Sequence, residues 1–234
     1  VLHKALVCAV DWRLLDSNPA SRVTAPRVQP RWVRVLDEEA TKQLLRSLRG
    51  HPVYLPSLIA VGTGMRRGEI LGLHWSEVDL PRRVLAVIRS LEQTSKGLAF
   101  KAPKTRRSRR LIALPGFVVH ELEQQRRHRG AEVGRVGQAE PWGVVVTRPD
   151  GAPWPPNSFS RAFGEVLRAR GLPRIRFHDL RHGHASHLLR QGVHPKVVSE
   201  RLGHTSVGFT LDTYSHLLPG MQAEAAAMID RALG

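Results

Sequence analysis

The sequence holds a single cysteine, Cys8. That excludes an internal disulfide and any zinc site built from several thiolates, and it fits a reducing compartment. Acidic residues are also scarce: twenty Asp and Glu face thirty-six Lys and Arg, leaving a formal net charge of +16. Such an excess is more than solubility requires and points to an anionic polymer as partner. Arginine, the dominant base, suits phosphate through its planar fork of donors. No apolar run approaches the roughly 20 residues of a membrane span and the amino end lacks a signal-peptide pattern, so a cytoplasmic protein is expected. Tyrosine occurs only as Tyr54 and Tyr214, which leaves two candidates for any chemistry on a phenol. The chain begins with Val and, by its periodicity, inside a helix, so a preceding amino-terminal portion is expected.

What is present suffices for a core. With 41% hydrophobic residues in 234, the chain can form one large domain or a medium one with an appendage. Leu2, Leu6, Ala9 and Leu14 share roughly one helical face across residues 2–15, and Asn18-Pro19 ends that helix. Residues 17–34, with three prolines up to Pro30, are expected to be a linker. The main domain then opens at Asp37, a plausible N-cap before Glu38 and Glu39, with Leu44, Leu45 and Leu48 on the buried side. Further helices are expected over 54–61 and 65–73, separated by Gly62-Thr63-Gly64, and then from Pro115, from Asn157, and over 179–190, 195–202, 207–217 and 221–233. Residues 84–89, 98–103 and 109–114 carry β-rich runs joined by polar turns. Residues 129–156 are expected to be mostly loop. The fold class is therefore α+β, mainly α-helical with a small three-stranded antiparallel sheet.

Four segments carry chemistry. His178-Asp179-Leu180-Arg181-His182 opens a helix otherwise filled with Leu and Ala, and its i, i+3 spacing sets His178 and Arg181 on one face, able to address the same phosphate. His178, His182, His184, His187 and His204 also raise a metal site. The Glu that a zinc helix needs after its first His is Asp179 here, and Arg181 would oppose a dication. Thr63 to Leu73 sets Arg66 and Arg67 at the start of a buried helix; Glu69 lies three residues from Arg66 and can orient it, though periodicity does not decide which arginine points inward. Lys101 to Arg110 has six basic residues in ten, Lys101, Lys104, Arg106, Arg107, Arg109 and Arg110, read as phosphate contacts. One lysine of this run is a candidate proton donor, Lys104 or Lys101. Finally Leu202-Gly203-His204 precedes Thr210 to His216, where Tyr214 falls at helical spacing with Val207, Thr210 and Leu211, a pattern that by itself describes a core tyrosine as well as a reactive one.

Taken in order, these segments resemble the catalytic domain of the tyrosine recombinases, particularly phage-type integrases, over nearly all of residues 35–218. The TGMRRGEILGL segment resembles that family's first arginine box at Arg66, and Lys104 matches its β-hairpin lysine. HDLRH supplies His178 and Arg181, LGH supplies His204, and TLDTYSH supplies Tyr214. The resemblance implies the family's catalytic-domain fold and a nucleophilic Tyr214 that forms a 3′-phosphotyrosine. It also implies His178 as proton acceptor, Arg66, Arg181 and His204 around the phosphate, and Lys104 as proton donor, with no metal or nucleotide cofactor. Residues 1–16 resemble the end of the family's core-binding domain. The implied partner is double-stranded DNA, bound as a homo-tetramer, with residues 219–234 exchanged between protomers, and an accessory directionality factor is compatible with it. The implied setting is a bacterial or phage protein at the nucleoid. Two other readings stay open at this level: a type IB topoisomerase, and a DNA-binding regulator on the same fold.

Overall fold

The computed structural model describes residues 2–24, 35–102, 109–136, 142–204, 206–214 and 221–233. Two compact units divide the chain, Val1–Trp32 and Val33–Gly234. In the first, helix α1 (Leu2–Asp11) is followed by a 3₁₀ turn, Pro19–Arg22. The Asn18 side chain ties the two, accepting from the Ala20 amide at 2.9 Å and donating to the His3 carbonyl at 3.2 Å.

The second unit begins as its capping chemistry dictates. Asp37 accepts from the Ala40 amide at 2.8 Å and starts α2 (Glu38–Leu48), which buries Leu44 and Leu48. Helix α3 (Tyr54–Thr63) runs through Gly62 instead of breaking there. That glycine is a packing device: a Cβ on it would lie 2.4 Å from the Val118 side chain. The true stop is Gly64, in the left-handed conformation at φ 68°. Helix α4 (Arg67–Leu71) follows; Gly68 and Gly72 let it lie directly on the backbone at Leu91, which a Cβ on Gly72 would approach to 2.7 Å.

The β-structure is antiparallel, as expected, but differently composed. Strands β1 (Val78–Asp79), β2 (Val84–Val87) and β5 (Arg110–Ala113) form a three-stranded sheet in the order β1-β2-β5, with Leu85 opposite Ile112 and both buried. The run expected over 98–103 is not in that sheet. It forms β4 (Gly97–Lys101), paired with β3 (Ser90–Thr94) as a separate hairpin. Of β3 only Leu91 is fully buried, so its sequence lacks the alternation that marks a strand.

Helix α5 (Gly116–Val136) also extends well beyond expectation, into residues read as loop. Its polar second half has no apolar stripe to signal a helix, yet is rich in the helix formers Glu, Gln and Arg. The remaining helices are α6 (Pro156–Ala169), α7 (Phe177–Arg190), α8 (Pro195–Leu202), α9 (Val207–Tyr214) and α10 (Met221–Leu233). Phe177, the first residue of α7, is buried edge-on to Phe159 and Phe163 of α6, with ring centroids 4.8 and 5.3 Å away. This contact fixes the end of α7 that carries His178 and Arg181. A smaller apolar cluster of Ala185, Leu189, Val198, Leu202 and Tyr214 joins α7, α8 and α9. The mainly helical α+β class is thus the one expected.

Candidate active site

Helix α8 ends at Gly203, left-handed at φ 67°. The last carbonyls of a helix have no partner within it and carry the negative end of its dipole. Two guanidinium groups meet them here. Arg181 donates to the Leu202 carbonyl at 2.9 Å and to the Gly64 carbonyl at 2.7 Å; Arg66 donates to the Gly203 carbonyl at 3.0 Å. Residues 66 and 181, far apart in sequence, are thereby drawn to the same short stretch of backbone, next to His204. Arg66, not Arg67, is the arginine that faces this point, and Arg67 turns to α6, donating to the Ser160 hydroxyl.

Glu69 organises the cations. Its carboxylate accepts from the Arg66 amide at 2.8 Å and from the Arg66 guanidinium at 2.9 Å, as the i, i+3 spacing suggested. It also accepts from Arg110, at 2.8 and 3.2 Å. Burial would push its pKa up, but the hydrogen bonds and charge of Arg110, with Arg66 beside it, outweigh this and hold it below the usual carboxylate range. Arg110 therefore departs from the expectation of a surface phosphate contact. Its side chain is 7% exposed, and its Nε donates to the Arg201 carbonyl at 2.7 Å. A strand residue alternates its direction, and position 110 faces in. Arg66 and Arg110 on this carboxylate, with Arg181 close enough to feel its charge, leave a net positive centre, suited to a phosphodiester. Burial, followed by the Arg66 charge, lowers Arg181 to about 9, so it stays cationic at neutral pH.

The histidines separate into roles. His204 shares a 2.7 Å hydrogen bond with Thr210 through Nδ1 and stands edge-on to Phe209, which leaves Nε2 to address an oxygen. Burial and the Arg181 charge depress it to about 3, so it is neutral. His178 opens to solvent on one side, while the protein packed on its other side and the Arg181 charge hold its pKa below the ordinary value. His184 belongs to the framework: its Nδ1–H donates to the Val61 carbonyl at 2.7 Å, and its Nε2 accepts from Arg201 at 3.0 Å. Among the described residues no group of three or more His, Cys, Asp or Glu is placed to hold a metal ion.

Tyr214 is 1% exposed, within the cluster between α7, α8 and α9. Burial raises its phenol to about 12, and the nearby Arg181 pulls the other way. Its hydroxyl lies 2.7 Å from His182 Nδ1. Burial and the adjoining His178 lower His182 to about 4, so at neutral pH the phenol donates to an uncharged imidazole. The imidazole bonded to the phenol is thus His182, while His178 stands edge-on to His182 at 4.8 Å. The sequence reading named His182 only as one of a set of histidines that could hold a metal and did not pair it with Tyr214, although its place four residues after His178, on the same helical face, is a signal that could have found that role.

Lys104, Arg106 and Arg107 lie outside the described residues. Lys101 is paired with Glu92 at 2.7 Å, and Arg109 is exposed just before β5.

The profile of the Phage integrase family matches residues 34–220. Curated relatives include a protein named Tyrosine recombinase XerC-like of Caldanaerobacter subterraneus subsp. tengcongensis, 28% identical over 95% of this chain and 62% of its own length. The ICEBs1 integrase of Bacillus subtilis is 27% identical over 99% of this chain and 64% of its length; the integrase of Salmonella phage P22 is 29% identical over 99% and 56%. The chain therefore spans less than two thirds of these relatives. In fold it is similar to the Tn1549 transposon integrase solved in complex with transposon right end DNA, with a TM-score of 0.79 at 22% identity over 99% of this chain and 76% of that one. It is also similar to a lambda integrase tetramer bound to a Holliday junction, with a TM-score of 0.62 at 20% identity over 91% and 56%.

Proposed function

The chain belongs to the phage integrase family, and on that premise we propose that it is the catalytic part of a site-specific DNA recombinase that cleaves and rejoins strands through a 3′-phosphotyrosine at Tyr214. The observation that carries this reading is the meeting of Arg66 and Arg181 on the carbonyls that end α8, beside His204 and within the same helical cluster as Tyr214. In this proposal residues 35–218 are the catalytic domain, residues 1–16 close a core-binding domain, and residues 17–34 link the two.

Exchange of one phosphodiester for another conserves the bond, so no nucleotide is consumed. The Tyr214 oxygen bonds to the scissile phosphorus as the bond from phosphorus to the 5′ oxygen breaks. Arg66 and Arg181 hold the non-bridging oxygens and offset the charge that grows on them, and His204 adds a hydrogen bond. An ordinary phenol, with a pKa of about 10, needs a proton acceptor at neutral pH, and His178 is that acceptor. Lys104 protonates the departing 5′ oxygen, and reversal of these steps joins the new strand. A phenol 1% exposed and bonded to His182 must first leave that partner to meet a phosphate, so the structure is taken as the resting arrangement.

The working assembly is a homo-tetramer on double-stranded DNA, with α10 docking on a neighbouring copy. Its exposed Met228, Ile229 and Leu233 support this, since an apolar stripe of that kind gains from burial. A cytoplasmic, nucleoid-associated setting follows from that substrate. Covalent capture on a library of nicked duplexes tests the chemistry. Parent protein should yield a protein–DNA adduct and Tyr214→Phe should bind DNA without one; an undiminished adduct in that variant would refute the assignment.

A further inference from the structure

Of the two arginines that follow Met65, the proposed reaction uses only Arg66. Arg67 is nevertheless drawn partly out of water, and burial holds its pKa below the ordinary arginine value. A desolvated cation ordinarily has a carboxylate or several carbonyls around it. Other part-buried arginines conform: Arg66 and Arg110 share Glu69, and Arg89 pairs with Glu77. Arg181 holds two carbonyls, and Arg201 holds two carbonyls and an imidazole. Arg67 has the Ser160 hydroxyl, and no ion pair joins it to a carboxylate among the described residues. Its charge is thus positioned but not neutralised.

The surroundings fit an anion. A cleft of about 790 Å³ is lined by Arg66, Arg67 and His178 together with Asn157 and Ser160 near the start of α6. Arg176 lies on its rim, 70% exposed while bound to the buried Asp179. Glu92, the acidic residue lining the cleft, is engaged by Lys101. The positive end of the α6 dipole adds to the cationic character. Because Arg66 and His178 of the proposed reaction centre also line this cleft, a polymer with one phosphate at Arg66 and Arg181 would lay the neighbouring phosphate within it.

We propose that this cleft is a second anion subsite, in which Arg67, with Arg176 at the rim, binds the DNA backbone phosphate that adjoins the scissile one. The proposal rests on the recombinase reading above and assigns Arg67 a positioning role, distinct from the residues that touch the reacting atoms.

Salt dependence of binding tests it, because each phosphate contact on duplex DNA adds about 0.9 to the slope of log K against log salt. Fluorescence anisotropy with a labelled random-sequence duplex would compare the full chain with Arg67→Gln, Arg67→Lys and Ser160→Ala, each checked for cooperative unfolding. The expected result is a slope shallower by about 0.9 for Arg67→Gln and a parental slope for Arg67→Lys, which keeps the charge. For Ser160→Ala, weaker binding at parental slope is expected, since the charge remains but its support is lost. An unchanged slope in folded Arg67→Gln, or an equal loss in Arg67→Lys, overturns the proposal. Should Arg67→Gln fail to fold, unaltered affinity in Ser160→Ala overturns it instead. A parent protein that binds no duplex at all defeats the recombinase reading itself.

Discussion

Replacing Glu69 by Gln changes one atom and should cost about 3–5 kcal/mol. The carboxylate is 5% exposed and each of its oxygens accepts twice: Oε1 from the Arg66 and Arg110 guanidiniums, Oε2 from the Arg66 amide and the other Arg110 nitrogen. A Gln amide turned either way sets its NH₂ against two donors, so two charge-assisted bonds are lost in each orientation. At about 1.5–3 kcal/mol each, these agree with the cost of stranding a buried arginine without its counter-charge. For a domain of this size the melting temperature should fall by about 6–20 °C. Urea titration with an unchanged slope would measure the loss, and covalent capture should show adduct formation down about two to three orders of magnitude as Arg66 loses its aim. The acid limb adds a check on sign. Glu69 has a depressed folded pKa, so its contribution is present above the unfolded carboxylate range and disappears as pH falls through the folded value; the Gln variant should lack that decline. A loss below about 1 kcal/mol, or full adduct formation in a destabilised variant, would refute this account of the carboxylate.

Two further outcomes follow from the histidines. His184 is neutral in the fold at about 4 against an ordinary 6.5, so its contribution is complete above pH 6.5 and declines as pH falls toward 4, by something of the order of 3 kcal/mol. Urea midpoints measured from pH 7 to 4 should show this, and a His184→Asn variant should show a flatter profile; equal slopes would count against it. Replacing His182 by Phe strands the buried Tyr214 hydroxyl and should cost about 1–3 kcal/mol, whereas His182→Asn, which keeps an acceptor near the Nδ1 position, should recover most of that. Equal destabilisation by the two variants would remove the hydrogen bond from the explanation.

The helices were legible wherever an apolar stripe or a cap announced them. Asp37 at the start of α2 and Pro195 and Gly203 at the ends of α8 lie where local chemistry requires. Strand β3 and the distal half of α5 were not, because neither carries the hydrophobic period that reveals an element. The residues that meet at the site, Arg66, Arg181, His204 and Tyr214, were identifiable as a set by their resemblance to a family, whereas spacing alone left Arg66 and Arg67 undecided. Arg110 illustrates the limit. In a run of six bases nothing local marks Arg110 to turn inward, since its direction depends on the pairing of β5 with β2 and on Glu69, 41 residues away.

The carbonyls of Gly64, Leu202 and Gly203 aim Arg66 and Arg181, and a carbonyl belongs to every amino acid. No substitution at those codons can delete such an acceptor; only an insertion, a deletion or a bent chain path can move it. Gly64 and Gly203 resist replacement for their left-handed backbone, and the Glu69 side chain shares with these carbonyls the duty of aiming Arg66. Substitutions that leave the chain path and Glu69 intact should therefore leave both guanidiniums their bearing.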